Sequence, residues 1–133
     1  MAEEIIKSKK IFYRGKTLDE LKVLEVRESA KYLSSRSRRS ILRNFQAVEN
    51  FIKRCEKKIL QKKRIKTHLR DIVIVPKLVG LSIQVHNGKN FEEVLITVPM
   101  IGHRLGEFAF TRQKVTHSAA GIGATKSSKA QKK

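Results

Sequence analysis

The chain has 133 residues, with 30 Lys and Arg against 12 Asp and Glu, for a formal net charge of +18. Such a length fits one domain with tails and a small core, and so large a charge repels itself unless a polyanion lies against it. A stand-alone enzyme on a neutral metabolite is disfavoured, and nucleic acid is favoured over an anionic membrane surface. Hydrophobic residues at 40% are too many for a wholly disordered chain and too few for a membrane protein. No apolar run approaches the roughly 20 residues that span a bilayer. The acidic start Met1-Ala2-Glu3-Glu4 lacks the apolar stretch of a secretory signal. The one cysteine, Cys55, has no intramolecular partner, which suits a reducing compartment.

The charge is uneven. Residues 1–30 hold seven basic and six acidic side chains, and residues 31–70 hold fourteen and two. Residues 71–111 hold three and four, and residues 112–133 hold six and none. The chain therefore divides into an N-terminal helical and basic region (1–66), a near-neutral core of sheet and short helix (67–111), and a basic tail (112–133).

In chain order, Thr17-Leu18-Asp19-Glu20 has the pattern of a capping box, with Leu18, Leu21 and Leu24 as one apolar stripe. A short helix is expected over Glu28 to Leu33. The longest helix is expected from Ser37 or Ser40, with Ile41, Phe45, Val48, Ile52, Cys55 and Ile59 as its packed face. Cys55 reads there as a small buried hydrophobe. Arg38, Arg39, Arg43, Lys53, Arg54, Lys57 and Lys58 occupy the other faces. One side thus serves the domain and another a partner.

Asp71 to Val75 is β-branched and reads as a strand ended by Pro76. Gly80 to His86 alternates apolar and polar, as a half-buried strand does. Asn87-Gly88 is a signal for a type I′ hairpin turn, and Phe91 to Val98 is the return strand. Its inward set is Val94, Ile96 and Val98, with Leu95 facing another surface. Thr97 is expected to cap a short helix through Met100, Ile101 and Leu105, ended by Gly106. The tail from Thr111 onward is rich in Ser, Ala, Gly and Lys and is expected to order only against a partner.

Enzyme chemistry is not visible. His68, His86, His103 and His117 lack ligand spacing, and one cysteine cannot complete a zinc site. Gly121 to Ser127 lacks the glycine before lysine that a phosphate loop requires. Glu92 and Glu93 are neighbours in a strand and point to opposite faces. Glu107 near His103 reads as structural or RNA-facing rather than as an acid/base couple. No catalytic residue, metal ligand or cofactor is assigned. No strand is rich in aromatics of the type that stacks single-stranded bases, so binding by phosphate contacts and shape is expected.

Gly80-Leu81-Ser82-Ile83-Gln84-Val85-His86-Asn87-Gly88-Lys89, followed by Met100-Ile101-Gly102-His103-Arg104-Leu105-Gly106-Glu107-Phe108, resembles the universal small-subunit ribosomal protein family numbered nineteen in bacteria and fifteen in eukaryotes. The resemblance covers roughly residues 64 to 128. Thr67-His68-Leu69-Arg70-Asp71 and Gly121 to Ser128 resemble the archaeal and eukaryotic branch, as do Tyr13 to Leu21 and Ser37-Arg38-Arg39-Ser40 more loosely. Phe110 departs from the family, which often has proline or another non-aromatic residue there.

The resemblance implies an α+β fold with a small mixed sheet and packed helices. It implies a structural, non-enzymatic constituent of the small ribosomal subunit, bound to ribosomal RNA in the subunit head. The neighbouring small-subunit protein numbered thirteen is an implied partner, and the tail is implied to approach the decoding region and transfer RNA. Localisation is expected to be cytoplasmic on the ribosome, and nucleolar during assembly if the source is eukaryotic. By resemblance, Asn87 and Lys89, His103 and Arg104, and Arg112 and Lys114 face RNA. The candidate set is completed by Arg36, Arg38, Arg39, Arg43, Lys66, His68, Arg70, His117, Lys126 and Lys129. The rival reading is a free-standing nucleic-acid-binding regulator whose basic arm doubles as a nuclear import signal.

Overall fold

A computed structural model describes residues 11–115. It begins with a tight hairpin, β1 (Phe12–Tyr13) pairing antiparallel with β2 (Lys16–Thr17). Arg14 and Gly15 both have positive φ, at 47° and 78°, the requirement of a type I′ turn. The sequence signal for such a turn lay instead at Asn87-Gly88, where a different loop forms.

Helix α1 (Leu18–Val23) starts as expected: the Thr17 hydroxyl accepts the Glu20 N–H at 3.4 Å. The reciprocal half of the box does not form, since the Glu20 carboxylate lies 3.9 Å from Lys16. Leu21 is fully buried, whereas Leu24 falls beyond the helix. The next helical piece starts earlier than expected, as α2 (Val26–Ser29), and tightens into a 3-10 turn over Ala30–Tyr32.

The single long helix of the sequence reading is two, α3 (Ser35–Arg43) and α4 (Phe45–Leu60). Asn44, at φ −107° and ψ 30°, leaves the helical region between them. Asparagine is a poor helix former, so the junction sits where propensity is weakest. Within α4 the packed side is wider and ends earlier than the expected stripe. Val48, Phe51, Ile52 and Cys55 form the buried side of α4. Phe45 is only half-buried, and Ile59 is 45% exposed, because α4 runs on past the body it packs against. Phe51, absent from the expected stripe, is 1% exposed. Lys57 and Lys58 in the last turn complement the helix dipole. Lys62, at φ 50°, turns the chain out of the helix, and the Lys63 N–H reaches back to the Lys58 carbonyl at 2.9 Å.

The main sheet has order β3-β4-β5, with β3 (Ile65–Thr67) parallel to β4 (Ser82–His86) and β4 antiparallel to β5 (Phe91–Leu95). It is the small mixed sheet of an α+β fold. Ile65, Thr67, Ile83, Val85 and Val94 point inward and are buried. Ile96 and Val98 are buried beyond the end of β5, as their alternation predicts, and Leu95 points outward.

The β4–β5 loop spans Asn87 to Asn90, rather than a two-residue turn. The Asn87 side-chain carbonyl accepts from the Lys89 and Asn90 N–H groups at 3.0 and 2.8 Å. That local bonding favours an Asx-type turn, and positive φ is left to Gly88 alone.

Ile72 to Val75 is fully buried but is not a strand. Its only bridge joins Val73 to Arg104. The segment facing it carries Gly102 at φ 89° and then winds into a 3-10 turn at Leu105–Phe108, so no regular ladder can extend. Backbone groups are still paired: the Ile74 N–H donates to the His103 carbonyl at 2.8 Å, and the Leu105 N–H to Ile72 at 3.1 Å. The helix expected after Thr97 is two separate 3-10 turns, Val98–Met100 and Leu105–Phe108, with Gly106 inside the second. Thr97 makes no side-chain cap. Phe110 is 71% exposed and so does not fill the core.

One continuous apolar core runs from Val26 to Ala109 and draws on both the helical half and the sheet half.

Candidate nucleic-acid interface

Helix α3 presents Arg36, Arg38, Arg39 and Arg43 to solvent while Ile41 anchors it in the core. The 3.6-residue period forces this division, since Ile41 is the one α3 side chain turned fully inward. Leu33, Leu42, Ser35, Arg38, Arg39 and Arg43 line an open groove of about 570 Å³. Its floor is apolar and its walls are cationic, so it can hold a phosphate backbone against packed methylenes.

A distant part of the sequence is fixed beside α3. The Ser37 hydroxyl donates to the Gly102 carbonyl at 2.6 Å, and an Arg104 guanidinium N–H donates to the Ser40 hydroxyl at 3.3 Å. Gly102 also lies 3.7 Å from Leu33 if given a Cβ, and its positive φ favours glycine. Two expected RNA-facing segments, the α3 arginines and His103-Arg104, are thereby brought together. His103 Nδ1 sits 2.8 Å from a Glu107 carboxylate oxygen, with both side chains about half exposed. The other Glu107 oxygen accepts the Arg104 N–H at 3.3 Å. This carboxylate orders the loop; among the described residues nothing near it completes a catalytic set.

Lys66 and His68 emerge from the outer side of β3, and Asn87 and Lys89 from the β4–β5 loop. Lys66, Lys89 and His68 are exposed, and Asn87 is half-buried with its side chain engaged in the loop. Arg112 and Lys114 are exposed beyond the last turn. His117, Lys126 and Lys129 lie outside the described residues.

Arg70 is placed differently. Its guanidinium donates to the carbonyls of His86 at 2.6 Å, Gly106 at 2.8 Å and Ala109 at 2.7 Å. It ties the end of β4 to the Leu105–Phe108 turn, and its donors are turned inward. Nothing in the sequence distinguishes this arginine from its neighbours.

Electrostatically, the helical arm is under-neutralised. Of the fourteen basic residues in 31–70, only Lys53 forms an ion pair, with Glu49 at 3.1 Å, among the described residues. Cations left without carboxylates raise the local positive potential. Cys55, by contrast, faces the core. Burial pushes its thiol up to about 11 from 9.0, against the opposing pull of Lys58 and Arg54. It is inert at neutral pH. Among the described residues no three His, Cys, Asp or Glu side chains are grouped to hold a metal.

Residues 39–117 match the family model for ribosomal protein S19. The chain is also 47% identical over 121 residues to the small ribosomal subunit protein uS19 of Methanocella arvoryzae, an alignment covering 88% of this chain and 82% of that protein. The chain belongs to the ribosomal protein S19 family. It is a structural ribosomal protein and not an enzyme. The resemblance read from the Gly80–Lys89 and Met100–Phe108 motifs is thereby borne out. The family match begins within α3 and takes in the Gly102–Arg104 segment bonded to it.

Five residues in two groups escaped the sequence reading. Lys62, Lys63 and Arg64 border a cleft of about 300 Å³ beside Ser82, Gln84 and Glu93 of the sheet. His86 and Phe91 pair across β4 and β5 and point to the same outer face as Lys66. Strand alternation held that signal, since His86 and Phe91 fall in register with the exposed positions.

Proposed function

We propose that the chain is a constituent of the small ribosomal subunit that binds ribosomal RNA through α3 and the His103-Arg104 loop. The observation carrying this reading is the cluster of exposed arginines on α3, without ion pairs among the described residues and held against that loop by Ser37–Gly102 and Ser40–Arg104. Lys and Arg there neutralise phosphates and release counterions. The sheet and the Arg70 clamp hold Asn87-Lys89 and the Leu105–Phe108 turn at fixed positions. The family resemblance supports a place in the subunit head beside the small-subunit protein numbered thirteen. It also supports a tail from residue 112 onward that orders on RNA and approaches the decoding region and transfer RNA. On this reading the protein acts on cytoplasmic ribosomes and in subunit assembly, with a nucleolar stage if the source is eukaryotic.

Sedimentation of a cell extract through a sucrose gradient tests this reading. Co-migration with small subunits is the expected result. A predominant free pool bound to other nucleic acid favours the regulator instead.

A further inference from the structure

The outer face of the three-stranded sheet carries a group of rings of which the RNA-facing set read from the sequence includes only His68. His68 follows β3, His86 ends β4 and Phe91 opens β5. The His68 and His86 rings lie 4.5 Å apart at 38°. Phe91 meets both edge-on, at 5.1 Å from His68 and 5.0 Å from His86. The Lys66 ammonium stands 5.2 Å from the Phe91 ring centre.

Two features make this a prepared surface. First, the rings brace one another, and His86 Nδ1 accepts the Gly88 N–H at 3.1 Å, which fixes the imidazole against the loop. Little ordering entropy remains to be lost on binding. Second, the outermost ring, His68, is exposed, while His86 and Phe91 behind it are half-buried. A stacking partner therefore meets a supported ring rather than a loose one. Charge complementarity points to the occupant. Lys66 stands over Phe91, Lys89 is exposed in the loop that joins His86 to Phe91, and Lys62, Lys63 and Arg64 border a cleft against the same sheet. The one carboxylate lining that cleft, Glu93, is hydrogen-bonded to the Ser82 hydroxyl. Aromatic rings set among cations fit a π-face attached to phosphates.

We infer that His68, supported by His86 and Phe91, is a stacking platform for one unpaired RNA nucleobase, with Lys66 and Lys89 on its flanking phosphates. This deepens the RNA-binding reading above and rests on it. It also revises the expectation that recognition uses phosphates and shape alone.

The test uses small subunits isolated from cells whose sole copy of the chain is wild type, His68→Ala, His68→Phe or the triple variant R38A/R39A/R43A. Base reactivity of the ribosomal RNA is read with dimethyl sulfate and a carbodiimide. The expected result is one base whose reactivity rises roughly tenfold in His68→Ala, as loss of one stacking contact implies. His68→Phe, which keeps a ring and loses the imidazole, restores protection. If His68→Ala changes no base while the triple variant changes several, the platform is refuted and the RNA reading stands. That outcome, with Lys66 chemically cross-linking to another subunit protein, assigns the face to a protein contact. If neither variant changes any base, both readings fall.

Discussion

Arg38 on α3 and Arg70 beside the sheet carry the same guanidinium, yet the two halves of the molecule use it in opposite ways. Arg38 is exposed with no carboxylate partner among the described residues, whereas Arg70 directs its donors to three backbone carbonyls inside the fold. Arg104 stands between these cases, donating to Ser40 while remaining only half-buried. Net charge counts all three alike. The helical half carries charge outward for a partner, whereas in the sheet half Arg70 is an internal tie beside the exposed Lys66 and Lys89. A basic composition thus signals a polyanion, but the residues that meet it are those whose donors remain free.

The strongest way to break this comparison is to unseat the body that carries the basic face. Phe51→Ala removes a ring from the inner side of α4 and should lower stability by about 3–5 kcal/mol. Thermal denaturation followed by circular dichroism should show a Tm fall of more than ~10 °C. A smaller fall means that the core is not continuous under α4.

Arg70→Ala leaves three carbonyls without their charged donor and should lose about 2–4 kcal/mol. Arg70→Lys sharpens the contrast, because lysine keeps the charge and lacks the fork that reaches three acceptors. Chemical denaturation should show most of the loss in both variants. Full stability in Arg70→Lys would make Arg70 a point charge like those of α3.

The inner and outer sides of α4 can be separated by pH. The Cys55 thiol has its folded value raised to about 11 from 9.0, so the unfolded chain ionises first. Stability from the neutral thiol is complete below pH 9, and up to about 2–3 kcal/mol is lost as pH rises through 11. The difference in urea midpoint between wild type and Cys55→Ala should shrink over that window. A constant difference would place the thiol in water beside Lys58 and Arg54. The smallest effect is expected at Ile59→Ala, within about 0.5 kcal/mol, since that side chain is largely out of the core.

Much of the fold is legible in the sequence, and the departures have physical causes. The apolar stripe of α4 was legible at Val48, Ile52 and Cys55 because burial there follows the helical period. Phe51 is missing from the expected stripe because a single row at spacings of three and four is narrower than the face that packs, and Ile59 lies on that row but is exposed because α4 runs on past the body. Ile72 to Val75 looked like a strand because β-branched burial says nothing of whether a partner can extend a ladder. Asn87-Gly88 carries the type I′ signal, yet the asparagine side chain bonds locally there, and positive φ at two successive residues occurs at Arg14-Gly15. In the candidate interface, exposed arginines on α3 were legible from composition. Arg70 was not separable from them, because its acceptors lie 16 to 39 residues away. His86 and Phe91 were hidden because they become neighbours only when β4 and β5 pair.

The central claim is that free cations on α3, and not the total charge, hold this protein on RNA. Occupancy of R38A/R39A/R43A in isolated small subunits, followed by quantitative mass spectrometry as potassium chloride is raised, tests it most directly. The account predicts that the variant leaves the subunit at lower salt than wild type, with the salt dependence reduced by about two in log–log slope. Undiminished occupancy of the variant at raised salt would contradict it.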